Sequence, residues 1–164
     1  MHKVYLLAGG NLNNTLLKYE QLSFLLQSKT GKIIAQSQYY ESPPWGFSSL
    51  YPFINKAICM ETTLNPVSLM KETQLIEHLL GRKEKKTTNY EDRTMDIDII
   101  FYDNLLINTK DLQIPHPKMH LRNFVLTPMN ELCPFFVHPS LKKNITTLKQ
   151  ECPDQAMTNP VTLV

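Results

Sequence analysis

The feature that most constrains the fold is the order in which apolar periodicity changes along the chain: strand, helix, strand, strand, helix, strand. Residues 4–8 are a short apolar run that predicts a buried strand, and Gly9-Gly10-Asn11 predicts a turn after it. Asn13 or Asn14 is placed to cap a helix whose stripe of Leu16, Leu22, Leu25 and Leu26 lasts to Thr30-Gly31. Two runs rich in β-branched and aromatic residues, 32–40 and 53–62, predict strands on either side of a long loop over 41–52. Asn65-Pro66 supplies a cap and a proline for the first helical turn, and Leu69, Leu75, Ile76, Leu79 and Leu80 form an apolar face that ends at Gly81. A polar loop over 82–93 and a strand over 95–102 come next. An Asp103-Asn104 turn predicts that 105–108 returns beside that strand. Pro115, Pro117, Pro128, Pro134, Pro139 and Pro153 then predict irregular structure around one short helix near 119–130. This order is that of a split βαβ arrangement, an α+β fold with helices packed on an antiparallel sheet.

Nothing in the sequence divides this pattern, so 1–164 is expected to be one domain. A 42% hydrophobic content supports a core without staples. Five Gly and eleven Pro exclude a collagen-like or flexible-linker chain, and a net charge of +2 excludes a basic tail or an acidic solvating chain. The apolar run at the amino end is short for a signal peptide and no run of 18 apolar residues occurs, so no membrane partner and a cytoplasmic location are expected. Cys59, Cys133 and Cys152 are odd in number and lack CxxC spacing, which predicts free thiols in a reducing compartment.

The densest chemistry lies in residues 93–101, Arg-Thr-Met-Asp-Ile-Asp-Ile-Ile-Phe. Strand alternation sends Asp96 and Asp98 to one face, with Ile100 and Tyr102, and Met95, Ile97, Ile99 and Phe101 to the other. With Cα atoms roughly 7 Å apart, the two carboxylates can converge on a hard cation, or on a pair of cations. They can equally be two ordinary acids on a wet face. Arg82, Lys83, Lys85, Lys86 and Arg93 precede the strand, interrupted by Glu84, Glu91 and Asp92. Such a loop either grips polyphosphate or is simply solvated. His116 and Arg122 can face an anion from one side of a bend, or His116 can be structural. Trp45, Phe47 and Tyr51 occupy the 41–52 loop, while Phe53 and Asn55 share one side of the next strand. A ring beside an amide can stack on and hydrogen-bond a flat nitrogen heterocycle, with Phe124 as the opposite wall; the other reading makes Phe53 core. Glu77 either positions a ribose or faces water. The chain has no Walker A loop, no dinucleotide fingerprint, no nucleophile elbow and no zinc pattern among its five histidines.

Taken in order, Leu7-Ala8-Gly9-Gly10-Asn11-Leu12, Tyr40-Glu41-Ser42-Pro43-Pro44-Trp45-Gly46, Phe53-Ile54-Asn55-Lys56-Ala57, Gly81-Arg82, Arg93-Thr94-Met95-Asp96-Ile97-Asp98-Ile99 and Ile114-Pro115-His116-Pro117-Lys118-Met119, followed by Arg122, resemble the 6-hydroxymethyl-7,8-dihydropterin pyrophosphokinases of folate biosynthesis. The resemblance runs over about 5–131. It implies a ferredoxin-like βαββαβ core with long active-site loops, and transfer of diphosphate from ATP to the pterin hydroxymethyl oxygen with release of AMP. It implies that Asp96 and Asp98 hold two magnesium ions brought with ATP. It places Gln74, Glu77, Arg82, Arg93, Ile99, His116 and Arg122 at the nucleotide, and Ser42, Pro44, Trp45, Phe53, Asn55 and Phe124 at the pterin. Arg82, Arg93, Asp96 and Asp98 are the implied catalytic set. A monomer with no nucleic-acid partner is expected.

The chain departs from the family pattern at several positions. Gly10 stands where many relatives have Ser, Glu84-Lys85 near a frequent Arg, Asn89-Tyr90 near a frequent Trp, and Asp111 where some place Arg. The polar loop over 82–92 is expected to move without ligands and to close over them. The competing reading, an RNA-binding domain of the same topology, needs aromatics on the sheet face, where this chain carries two acids.

Overall fold

The computed structural model describes residues 1–12, 14–83 and 89–161. Strand β1 (His2–Gly10) leads into α1 (Thr15–Lys29), β2 (Lys32–Gln36), β3 (Tyr40–Ser42), β4 (Phe53–Thr62), α2 (Pro66–Leu79) and β5 (Asp96–Tyr102). A small hairpin of β6 (Ile107–Asn108) and β7 (Gln113–Ile114) follows, then a 3-10 turn (Met119–Leu121), α3 (Asn123–Leu132), α4 (Ile145–Gln150) and β8 (Asn159–Pro160).

The main sheet has six antiparallel strands in the order β5-β1-β4-β3-β8, with β2 also on β4. β1 lies between β5 and β4, in register with β4 from His2 opposite Thr62 to Gly10 opposite Ile54. Its two faces feed two cores. Val4, Leu6 and Ala8 pack with Tyr19, Leu22 and Leu26 of α1 and Leu69 and Ile76 of α2. Tyr5 and Leu7 pack with Val125, Leu126 and Met129 of α3 and Ile145 and Leu148 of α4. A strand buried on both faces reads as a continuous apolar run, which is how residues 4–8 look.

Several expectations need correction. The 32–40 run breaks into β2 and β3 around residues 37–39, and Ser37 Oγ accepts from the Ala57 amide there. On α2, Leu75 and Leu79 face solvent, while Thr73 and Glu77 are buried in their place. Asn65 does cap α2, its Oδ1 accepting from the Ser68 amide at 2.9 Å. Asn14 precedes α1 in the left-handed region at φ 51° and makes no side-chain cap, and Asn13 lies outside the described residues. β6 pairs with β7 rather than β5. The 119–130 helix is a 3-10 turn followed by α3, and α4 and β8 were not anticipated.

The alternation of β5 holds for its first half only. A register shift opposite Tyr5 and Leu6 puts Leu6 against Ile99 and Tyr5 against Phe101. The extra residue moves Phe101 to the face of Ile100, and Tyr102 joins Ile97 and Ile99. Asp96 and Asp98 precede the bulge and keep one face. Gly10, read as a turn residue, ends β1 instead: a Cβ there would lie 2.3 Å from the Thr94 carbonyl oxygen, so the backbone entering β5 packs directly on it.

Candidate active site

At the β4 start, β3 edge and β5 start, three loops converge over the sheet. Tyr19 anchors this end: its hydroxyl, fully buried, donates to the carbonyls of Ala8 and Ile54 at 2.7 and 2.8 Å and so fixes the end of β1 to the start of β4. Asn55 projects from β4 and donates through Nδ2 to Ser42 Oγ of β3 at 2.8 Å, both side chains being buried. Phe53 meets Phe47 of the 43–52 loop edge to face, with ring centroids 6.0 Å apart. Across from them, the Arg122 guanidinium lies 4.4 Å from the Trp45 ring centroid, with Phe124 beside it at 5.6 Å. These residues enclose a cavity of about 360 Å³. A second cavity of about 320 Å³ adjoins it, lined by Gln74, Glu77, Ile99 and Lys110 among others. Arg82, Asp96, Asp98, His116 and Pro117 line both and form the boundary.

The boundary is dense in charge. Arg82 Nη1 donates to Asp96 Oδ1 at 2.7 Å and also pairs with Glu77, while Arg93 Nη1 takes the other Asp96 oxygen. Burial alone would raise the Asp96 carboxyl, but Arg93 and Arg82 outweigh it and hold the group below its ordinary value. For Asp98 the arginines, Arg122 first, pull the same way but do not outweigh burial. Burial first, and the Asp96 charge second, push it up to about 7. Glu77 rises to about 8 from the same two causes, Arg82 notwithstanding, and its Oε1 accepts from the Ile97 amide at 2.6 Å. Burial and then Arg122 hold His116 down at about 4, so its ring is neutral near pH 7. Nδ1 of that ring accepts from the Lys118 amide at 3.2 Å, which leaves the proton on Nε2, 4.0 Å from Asp98 Oδ2.

This donor set fits magnesium of one kind. Asp96 and Asp98 offer hard oxygen ligands on one strand face, and Asp98 accepts no hydrogen bond among the described residues. No group of three or more His, Cys, Asp or Glu suited to a metal ion occurs among the described residues. Magnesium tolerates one or two carboxylates when phosphates and water complete its octahedron, so the pair suits an ion carried on a polyphosphate. Arg122 faces the first cavity with donor capacity to spare: it is 94% buried by its 6% exposure, Nη2 donates to the Tyr90 hydroxyl at 2.9 Å, and Nε finds no acceptor among the described residues.

The first cavity gathers Ser42, Trp45, Phe53, Asn55, Phe124, Arg82, Arg93, Asp96, Asp98, His116 and Arg122 of the expected residues, and the second gathers Gln74, Glu77 and Ile99. Pro44 lines neither. Its neighbour Pro43 takes the place, because a proline pair in a loop gives no period from which to tell the inward ring. Lys118, Gly9 and Tyr90 also line the first cavity. Lys118 stood within the motif that carries His116, and Tyr90 at a position marked only as a departure. Lys83 is described; Lys85 and Lys86, also considered for phosphate, and Glu84, which interrupts them, lie outside the described residues.

A heterocycle-sized cavity joined to a polyanion-sized one through carboxylates and arginines, on a ferredoxin-like sheet, defines a phosphoryl-transfer enzyme. The family model for 7,8-dihydro-6-hydroxymethylpterin-pyrophosphokinase matches residues 5–134, and the chain belongs to that family. It is 36% identical over 138 residues to the 2-amino-4-hydroxy-6-hydroxymethyldihydropteridine pyrophosphokinase of Porphyromonas gingivalis, covering 83% of this chain and 93% of that one. It is 32% identical to the enzyme of the same name from Haemophilus influenzae, covering 96% and 97%. Among solved structures, wild-type Plasmodium falciparum HPPK-DHPS with SDX-DHP superposes with a TM-score of 0.75 at 19% identity, over 92% of this chain and 43% of that one. The chain thus spans less than half of that longer protein, and the likeness shows the shared ferredoxin-like fold. The family reaction, diphosphate transfer from ATP to the hydroxymethyl-dihydropterin in folate biosynthesis, is the activity of this chain.

Proposed function

We propose that the first cavity holds the pterin, the second the nucleotide, and that the pterin hydroxyl attacks the β-phosphorus in line at the boundary the two share. One observation carries this reading: Arg82, Asp96, Asp98 and His116 line both cavities, so a hydroxyl reaching out of one meets a polyphosphate reaching out of the other. The new bond joins the pterin oxygen to the β-phosphorus, the bond from that phosphorus to the bridging α,β oxygen breaks, and AMP leaves as the hydroxyl proton passes to solvent or phosphate.

Asp96 and Asp98 would hold two magnesium ions that arrive with ATP. The chemistry magnesium supplies when bound is orientation and charge neutralisation of the phosphate oxygens. With Asp96 committed to a cation, Arg82 and Arg93 would be free to donate to the phosphates, and His116 would donate from Nε2. Phe53 and Phe124 stack on the pterin, Asn55 and Ser42 present their polar edges to it, and Trp45 with Arg122 covers the cavity mouth. Gln74, Glu77 and Ile99 line the nucleotide cavity. Through its described ends, Arg82 and Tyr90, the loop over 82–92 meets both substrates, and the expected closure falls partly on residues 84–88, outside the described residues. Among the described residues no helix is long and apolar enough to cross a membrane, and we place the protein in the cytoplasm as a monomer.

Asp96→Asn and Asp98→Asn test the metal assignment. Each is expected to lower kcat by two orders of magnitude or more, about 3 kcal/mol of transition-state stabilisation, while pterin affinity changes less than about threefold. Wild-type turnover in both variants would reject it.

A further inference from the structure

The family match ends at residue 134, yet residues beyond it touch both walls of the pterin cavity. Helix α3 begins immediately after Arg122 and carries Phe124, but Arg122, its N-cap residue, supplies no side-chain cap. Asp154, 31 residues beyond Asn123, supplies it instead: Oδ2 accepts from the Asn123 amide at 3.0 Å. Its other oxygen accepts from the Ala156 amide at 3.0 Å, and Asn123 Nδ2 donates to the Ala156 carbonyl at 2.9 Å. A carboxylate at that helix end satisfies an orphan amide and opposes the positive end of the helix dipole. From there the chain runs to β8, where Asn159 and Pro160 pair with Glu41 and Tyr40 and the Val161 amide donates to the Tyr39 carbonyl at 2.8 Å. The next residue of β3 is Ser42, on the opposite wall.

Residues 154–161 therefore join the wall that carries Arg122 and Phe124 to the wall that carries Ser42. Glu131, on α3, completes the circuit by accepting from the Gln38 amide and from the Tyr40 hydroxyl at 2.8 Å. We propose that Asp154 is a positioning residue for the pterin cavity: it fixes the first turn of α3, and with it Arg122 and Phe124, at a set distance from the β3 wall. This rests on the reading of that cavity as the pterin site. Arg122 and Phe124 line the first cavity but not the second, so loss of Asp154 must be felt at the pterin and not at ATP.

The test compares Asp154→Ala with the conservative Asp154→Asn, which can still cap, and with Asn144→Ala. Asn144 caps α4 by accepting from the Thr147 amide at 2.8 Å and lines neither cavity, so its loss reports helix capping alone. Asp154→Ala is expected to raise the pterin KM about fivefold or more while the ATP KM moves less than about twofold, and Asp154→Asn to restore most of the loss. A second readout is independent of turnover. Trp45 is the sole tryptophan and Arg122 stacks on it, so Asp154→Ala is expected to raise acrylamide quenching of substrate-free Trp45, with no change in Asn144→Ala. Unchanged quenching together with an unchanged pterin KM, or equal shifts of both KM values in the Asp154→Ala and Asn144→Ala variants, would overturn the proposal. If wild-type protein turns over no pterin, the pterin assignment fails and the quenching comparison alone decides whether Asp154 positions Arg122.

Discussion

Asp98 is a carboxylate kept where a carboxylate is unwelcome. Its carboxyl titrates near 7 in the fold and near 3.8 as a free side chain, so between those values the folded state binds the extra proton. Above about pH 6.5 stability of the metal-free protein is therefore predicted to fall as pH rises to about 8, Glu77 adding to the same slope; below 6.5 His116, held down at about 4, titrates in the opposite sense and offsets part of it. Asp98→Asn should stabilise the metal-free protein above pH 7 by on the order of 1–3 kcal/mol, discounted for the 31% exposure of the side chain, while abolishing transfer. Thermal melts in a chelator at pH 6 and pH 8 check the sign, and a wild-type protein more stable at pH 8 would contradict it. Magnesium should stabilise more at pH 8 than at pH 6, since its ligands must be deprotonated. At this scale the acid pair was legible because strand alternation needs only two intervals to place Asp96 with Asp98. The inward proline of the 43–44 pair was not, and neither were the phenol contacts of Tyr90, because loop side chains have no period.

The elements divide into those fixed by local pattern and those fixed by packing. β4 and the cap of α2 follow from β-branched density and Asn65-Pro66, which act within a few residues. The second half of β5 follows from a bulge that only its partner β1 reveals, and the buried Glu77 face of α2 from an ion pair with a residue beyond the helix. Tyr19, the anchor of the cavity end, escaped a stripe drawn from leucines. The loop over 82–92 meets the site at both ends, through Arg82 at the boundary and through Tyr90, whose ring lies 5.7 Å from Trp45. Residues 84–88 of that loop lie outside the described residues; if the loop closes as proposed, the amides of 82–83 and 89–92 should exchange at least tenfold more slowly under saturating nonhydrolysable ATP analogue and pterin. Hydrogen exchange measured with and without the ligands checks this, and equal protection in both would contradict it.

Across the whole molecule, one sheet serves as the floor of the site and the partition between two cores. The first core was legible because α1 and α2 carry helical periodicity. The second was legible only in part, since α3 contains Pro128 and α4 spans six residues, too short for a period to register. All three cysteines are free and buried, and burial pushes the Cys133 thiol up to about 12. None should react with a thiol reagent within minutes at pH 8 in the native protein, and all three should react in denaturant; a fast native thiol would place Cys59, Cys133 or Cys152 elsewhere than in the sheet's second face. The small net charge of +2 conceals a strong local division, with Asp96 paired to Arg82 and Arg93 at the boundary.

Transfer of a diphosphate, rather than of a single phosphate, is what distinguishes this chemistry from that of an ordinary kinase. Purified protein incubated with ATP, magnesium and 6-hydroxymethyl-7,8-dihydropterin should yield AMP and the pterin diphosphate in equal amounts by mass spectrometry. ADP with a singly phosphorylated pterin would contradict it.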